Sequence, residues 1–226
     1  MKLFIPVIRV FIVEERILRI MVLSKTVRII MTVLLALPRV FLRGYKPEED
    51  KPFFLYLSFM NPHDICYGAG FDPRFPDKLR PHQIAATQKY IDFHKTLSEE
   101  EYRNQIPPVP ANMEPNGAYA EMKEIGSGSR NWTEEQWNFY RWMYCRLVED
   151  VEKQIGRILT ALADAGLADN TIVVFTSDHG EMGQSHGLVF KSQLLEEATR
   201  TPLIIAWSLE ITKKVIVRFR KPDLRY

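Results

Sequence analysis

Only two cysteines, Cys66 and Cys145, occur in the 226 residues. At unrelated spacing they form neither a disulfide framework nor a zinc site. Whether the two form one bridge or stay free thiols is open at this point, and so is the redox compartment. An excess of one charge is also lacking: 30 Lys and Arg stand against 28 Asp and Glu, a net +2 that does not argue for a nucleic-acid partner. Long apolar runs are missing. The strongest, Ile29 to Leu37, is interrupted by Thr32 and falls short of the roughly 20 residues a membrane span needs. No internal repeat is visible. What remains is 46% hydrophobic, 12% aromatic and 26% charged, an ordinary globular composition able to bury a core. The length suits one large domain or two small ones.

Residues 1–45 differ from the rest, mixing β-branched residues with frequent Arg and Lys. The Ile29–Leu37 run has the length of a signal-peptide core, with Lys25 and Arg28 ahead of it. It starts far from Met1, and no A-x-A-like cleavage site follows. The reading preferred here is a core-packing or membrane-surface amphipathic segment.

From residue 51 the pattern becomes legible. "KPFFLYLSF" (51–59) is an apolar, aromatic run that predicts a buried strand of a parallel sheet. It stops at Asn61-Pro62-His63-Asp64. From Gly68 to Arg130 the chain is rich in Pro, Gly, Asn and charge, and is expected to be a long surface excursion, with His82 and His94 on the surface. "IPPVPANMEPNG" within it excludes helix and central strand. Order returns with Thr133 and Gln136, the spacing of a capping box. Apolar residues then recur with helical period from Trp137 through Tyr140, Tyr144, Leu147, Val151, Ile155, Ile158 and Leu159 to Leu162, and Gly166 is a natural C-cap. "TIVVFT" (171–176) predicts a strand, "SQLLEEATR" a helix and "PLIIAW" (202–207) another strand. The order strand, helix, strand, helix, strand predicts an α/β fold with a mixed, mostly parallel sheet flanked by helices.

Sites in such sheets form beyond the carboxyl ends of strands. Asp178 and His179 stand there, and His63 follows the 51–59 strand by a few residues. A carboxylate beside an imidazole at a strand end suits a metal. Lys191 suits an anionic group held by the same metal. Each residue also has a plainer reading. Asp178 alone could cap a helix, His63 could be a turn residue, and Lys191 a surface or helix-start lysine. His186 either orients the loop or stands behind the site's ligands, and Glu181 is either an acceptor behind those ligands or simply solvated.

"TIVVFTSDHGEMGQSHGLVFK" followed by "EEATRTPLIIAW" resembles the second half of the sulfatase catalytic domain, in the alkaline-phosphatase superfamily. "KPFFLYLSFMNPHDIC" resembles that family's strand and Pro-His element, and "PPVPANMEPN" a loop of many bacterial members. The similarity covers residues 51–207 as an ordered series of motifs. It implies Asp178 and His179 as a metal-ligand pair, with calcium the usual family metal, although a nitrogen ligand is unusual for a cation that prefers oxygen. It implies His63 near the leaving-group oxygen as a candidate general acid, and Lys191, thirteen residues after Asp178, on the sulfate. The implied partners are sulfated small molecules or sulfated glycans, and the implied location is periplasmic or extracellular. The sequence carries no reading of oligomeric state.

The family's nucleophile is a formylglycine made from Cys or Ser in a C-x-P-x-R type motif. Cys66 lies in "CYGAG" and Cys145 in "CRLVE", and neither matches. Residues 1–45 hold no pair of adjacent aspartates. The expectation is therefore a truncated, incomplete catalytic domain over 46–210, with atypical ends at 1–45 and 211–226, inactive toward sulfate esters. Two alternatives stay open: a phosphoesterase of the same superfamily, and a non-catalytic remnant or binding module.

Overall fold

A computed structural model describes residues 7–14, 28–32, 41–45, 53–69, 71–72, 81–113, 132–191 and 194–207. The 211–226 tail, the proline-rich run beyond Met113, the side chain of His82 and most of the Ile29–Leu37 run lie outside the described residues. The chain divides into two compact units: Met1–Ile8, Phe59–Gly156 and Asp178–Thr201 form one, and Arg9–Ser58, Arg157–Ser177 and Pro202–Tyr226 the other.

Five strands make one sheet. They are β1 (Val7–Glu14), β2 (Arg28–Thr32), β3 (Phe54–Pro62), β4 (Thr171–Ser177) and β5 (Leu203–Trp207), in the order β2-β3-β1-β4-β5. The three strands expected from 51 onward share that sheet, but β1 separates β3 from β4. β2 runs parallel to β3, with Ile30 opposite Tyr56. β5 runs antiparallel to β4, with Val174 opposite Ile205. The sheet is mixed, as expected. Between β4 and β5 the expected 192–200 helix covers only the four residues of Glu196–Thr199.

Phe53, just ahead of β3, and Leu55, Leu57 and Phe59 within it are buried while Phe54, Tyr56 and Ser58 are half-buried, the period-2 pattern of a strand with unequal faces. Ile172, Phe54, Val174 and Trp207 pack together in the second unit. On the edge strand β5, Ile204 and Ile205 stay exposed among the described residues.

The excursion is not all loop. It carries α1 (Ile65–Gly68), α2 (Pro81–Thr96) and α3 (Glu99–Gln105). Pro81 opens α2 at the helix start, where its missing N–H costs nothing. Ser98 and Glu101 close a capping box at the start of α3, the Ser98 backbone N–H donating to Glu101 Oε2 at 2.8 Å and the Glu101 N–H to Ser98 Oγ at 3.2 Å. Nor is His94 a surface residue. Its ring lies 4.4 Å from that of Tyr102, 5.7 Å from Phe139 and 5.8 Å from Trp142. Tyr90 and Ile91 of α2 and Tyr102 of α3 are buried in the core of the first unit, and His94 stands beside Tyr102.

Helix α4 (Glu134–Asp164) carries the long stripe. The Thr133 N–H donates to Gln136 Oε1 at 2.8 Å and the Gln136 N–H to Thr133 Oγ1 at 3.3 Å, completing the predicted box. At the far end Gly166 takes φ +68°, Leu167 N–H reaches Leu162 O at 3.2 Å and Gly166 N–H reaches Ala163 O at 2.9 Å. Those two bonds satisfy carbonyls the helix would otherwise leave open. Trp137, Tyr140, Leu147, Val151, Ile158 and Leu162 are buried, whereas Leu159 is exposed. From Trp137 to Leu147 the stripe packs with Ile65, Phe71, Tyr90, Ile91, Tyr102, Phe139, Trp142, Met143 and Val189 into the main core of the first unit. No described helix is long and apolar enough to cross a membrane.

Candidate active site

The strand β3 ends in a cis Asn61–Pro62 bond. The chain then turns at once. Asn61 Oδ1 accepts the Asp64 N–H at 3.2 Å, His63 N–H donates to Met60 O at 3.1 Å, and Cys66 N–H donates to His63 O at 3.0 Å. An asparagine side chain that mimics a backbone turn in this way is what the Asn-Pro-His-Asp sequence favours. The turn buries His63 to 5% exposure and starts α1, which brings Cys66 Sγ to 3.8 Å from His63 Nδ1. Asp64 Oδ1 lies 3.9 Å from the same nitrogen.

The second half of the site follows β4. Asp178 Oδ1 accepts the backbone N–H of the next residue, His179, at 3.0 Å, and no helix starts there. His179 Nδ1 donates to Gly180 O at 2.8 Å. In the neutral ring this leaves Nε2 as the lone-pair nitrogen. That atom is 3.9 Å from Asp178 Oδ1. Gly180 is required by space. A Cβ there would lie 2.0 Å from the Glu197 carbonyl oxygen, because Gly180 N–H donates to Ala198 O at 2.8 Å.

Residues 182–190 form a compact loop ending at Lys191. Gly183, Gln184, His186, Gly187 and Phe190 all have positive φ. Met182 N–H to Phe190 O (2.8 Å) and Gln184 N–H to Leu188 O (3.0 Å) close it. From outside, the buried Arg141 bonds Gln184 Oε1 and Asn138 Oδ1, and donates to Pro107 O at 3.1 Å. His186 N–H donates to Asn112 O at 2.8 Å, and Asn112 Nδ2 donates to Glu197 Oε1 at 2.6 Å. The His186 ring is tied to the same residues, its Nε2 standing 3.2 Å from Asn112 Nδ2 and 3.6 Å from Glu197 Oε1, so His186 helps hold the loop. Glu181 is held too: its Oε1 accepts Tyr140 Oη at 2.7 Å and Phe190 N–H at 2.6 Å.

Lys191 is not a surface lysine. Its Nζ is buried with no hydrogen-bond partner among the described residues. Burial lowers its pKa, opposed by the negative charge of Glu181 and by Cys66 and Asp178 nearby. Burial also lowers His63, and the Lys191 ammonium is the next cause. Burial pushes the Cys66 thiol up to about 11, against the pull of Lys191. These mutual fields put His63, Cys66, Asp178, Glu181 and Lys191 in one electrostatic neighbourhood within the first unit, with His179 also acting on His63. Sequence reasoning missed Cys66 as a neighbour of the site, although an i, i+3 step from His63 across a turn is a usable signal. Tyr140 looked like one more member of the core stripe, and no local pattern marks it out.

A cation that takes about six to eight oxygens does not fit one carboxylate and one imidazole. Among the described residues no group of three or more His, Cys, Asp or Glu side chains could hold a metal ion.

Comparison with known proteins gives a consistent answer. The sulfatase family profile matches residues 33–223. Arylsulfatase K of Danio rerio is 29% identical over 169 residues, covering 73% of this chain and 29% of that protein. A sulfatase of Formosa agariphila is 32% identical over 173 residues, covering 73% and 29%. The chain therefore spans less than a third of the length of these relatives. A sulfatase structure from Bacteroides thetaiotaomicron superposes with a TM-score of 0.54 at 23% identity, over 76% of this chain and 34% of that one. That likeness bears on the fold alone, which is alkaline-phosphatase-like.

Proposed function

This chain belongs to the sulfatase family, and on that premise we propose that it holds the sulfate-binding and proton-donating part of a sulfate-ester site. Lys191 binds the sulfate and His63 faces the leaving-group oxygen. The observation that carries this reading is the buried ammonium of Lys191, without a hydrogen-bond partner among the described residues, acting on the buried imidazole of His63. An ammonium held out of water with no partner of its own is a ready counter-charge for an oxyanion. Without an anion the ammonium helps keep His63 neutral. A bound sulfate screens that charge and returns His63 toward protonation, the state in which it can donate to a leaving oxygen.

The ligand class is a sulfated small molecule or sulfated glycan. Turnover by this chain is negligible, because attack needs an activated nucleophile in line with the leaving group. Neither cysteine lies in a C-x-P-x-R motif, and burial raises both thiols. The family generally relies on a metal. Here Asp178 and His179 are the residues that face that role, and among the described residues they are too few to supply it.

The test is direct. The purified chain is assayed with an aryl sulfate and an aryl phosphate, and its binding of inorganic sulfate is measured by equilibrium dialysis. We expect sulfate binding that Lys191→Ala abolishes, with no multiple turnover of either ester. Sustained sulfatase turnover lost in His63→Ala and Lys191→Ala would overturn the inactivity. Sulfate binding unchanged in Lys191→Ala would overturn the site.

A further inference from the structure

Lys191 is positioned by a residue that sits ten places earlier in the chain and need not touch the anion. The residue before it, Phe190, has φ +68°. A side-chain-bearing residue enters that left-handed region at an energetic cost, so something must hold it there. The Phe190 N–H donates to Glu181 Oε1 at 2.6 Å. The same oxygen accepts Tyr140 Oη at 2.7 Å, from a fully buried tyrosine of α4, and at 3.5 Å lies at the limit of reach of the Gly183 N–H. Val189 is buried in the same core cluster as Tyr140, and the Met182 N–H donates to Phe190 O at 2.8 Å, so the loop end is held by packing, by that backbone bond and by the Glu181 oxygen.

We propose that Glu181 is the positioning residue of the anion site: its carboxylate clasps the Phe190 backbone to Tyr140 and thereby fixes where the Lys191 ammonium stands. The inference rests on the reading of Lys191 as the sulfate ligand. Glu181 acts on the anion only through Phe190 and Lys191. The clasp needs an acceptor oxygen at that place. Glutamine supplies one and methionine, of similar length, does not.

The test uses radiolabelled inorganic sulfate in equilibrium dialysis against the whole chain and four variants. In Glu181→Met the dissociation constant rises about tenfold or more. In Glu181→Gln, where the acceptor is kept, it stays within about threefold of the unsubstituted chain. A role confined to folding would not give this rescue at the level of affinity when circular dichroism shows both variants folded. Should Glu181→Met fail to fold, Tyr140→Phe is read in its place, because it removes one donor to the clasp and keeps the ring; it is expected to weaken sulfate binding. Unchanged affinity in Glu181→Met, or in Tyr140→Phe where that is the variant read, overturns the inference while Lys191→Ala still abolishes binding. Loss in Glu181→Gln equal to that in Glu181→Met also overturns it. Binding that Lys191→Ala leaves intact overturns the site reading itself.

Discussion

Cys66 Sγ lies 3.8 Å from His63 Nδ1, a thiol and an imidazole at the distance of a nucleophile and its base. The pair does not work as one. The thiol is pushed up to about 11, by burial first, and His63 is lowered, so neither proton is poised to move near neutral pH. Reactivity follows the thiolate fraction. Cys66 is therefore expected to alkylate with iodoacetamide at least about two orders of magnitude more slowly than a free thiol at pH ~8. Peptide mapping after timed quenching measures it. Fast labelling of Cys66 would show that the site ionises the thiol.

His94 makes stability depend on pH. Burial among Tyr102, Phe139 and Trp142 lowers its pKa below the ordinary 6.5, against the raising effect of Glu135 and Glu99. Above that ordinary value both folded and unfolded chains carry the neutral ring, and the full stability is present. As pH falls through it, the unfolded chain takes up a proton that the folded chain does not, so stability is lost down to the depressed folded value. Urea midpoints at pH ~7.5 and ~5.5 should differ more for the unsubstituted chain than for His94→Phe. Equal differences would remove His94 from the account.

Gly180 has no room for a side chain. The Cβ of an alanine would stand 2.0 Å from the Glu197 carbonyl oxygen, which is backbone and cannot swing away. Gly180→Ala is expected to destabilise the chain by about 1–3 kcal/mol, the range of overpacking in a tight contact. Urea unfolding reads this, and a change of less than about 0.5 kcal/mol, the range of a neutral surface substitution, would mean that Glu196–Thr199 shifts freely.

Calcium is expected to bind poorly, since Asp178 and His179 offer one carboxylate and one imidazole. At about 1 mM free calcium the gain in unfolding free energy should stay below about 0.4 kcal/mol, which corresponds to a dissociation constant weaker than that concentration. Thermal unfolding with calcium and with chelator checks it. A rise of several degrees that Asp178→Asn removes would require oxygen ligands beyond this pair.

The amino-acid sequence by itself determined the elements whose signals lie within a few residues. Thr133 and Gln136 opened the long helix, Gly166 closed it, and the β-branched 171–176 run made a strand. The ordered motifs from residue 51 onward were also enough to read the sulfatase family. The helices at Pro81–Thr96 and Glu99–Gln105 were locally encoded too, in Pro81 and in the Ser98–Glu101 box, but the proline and glycine around them hid the signal. Other features depended wholly on the tertiary structure. β1 pairs between β3 and β4, His94 enters an aromatic core, Cys66 stands against His63, and Tyr140 reaches Glu181 across 41 positions. Caps and periodicity act through bonds between near neighbours and are written into short stretches of chain. Strand order, burial and the field around Lys191 arise only when distant segments close on one another and expel water, and no short stretch carries that information.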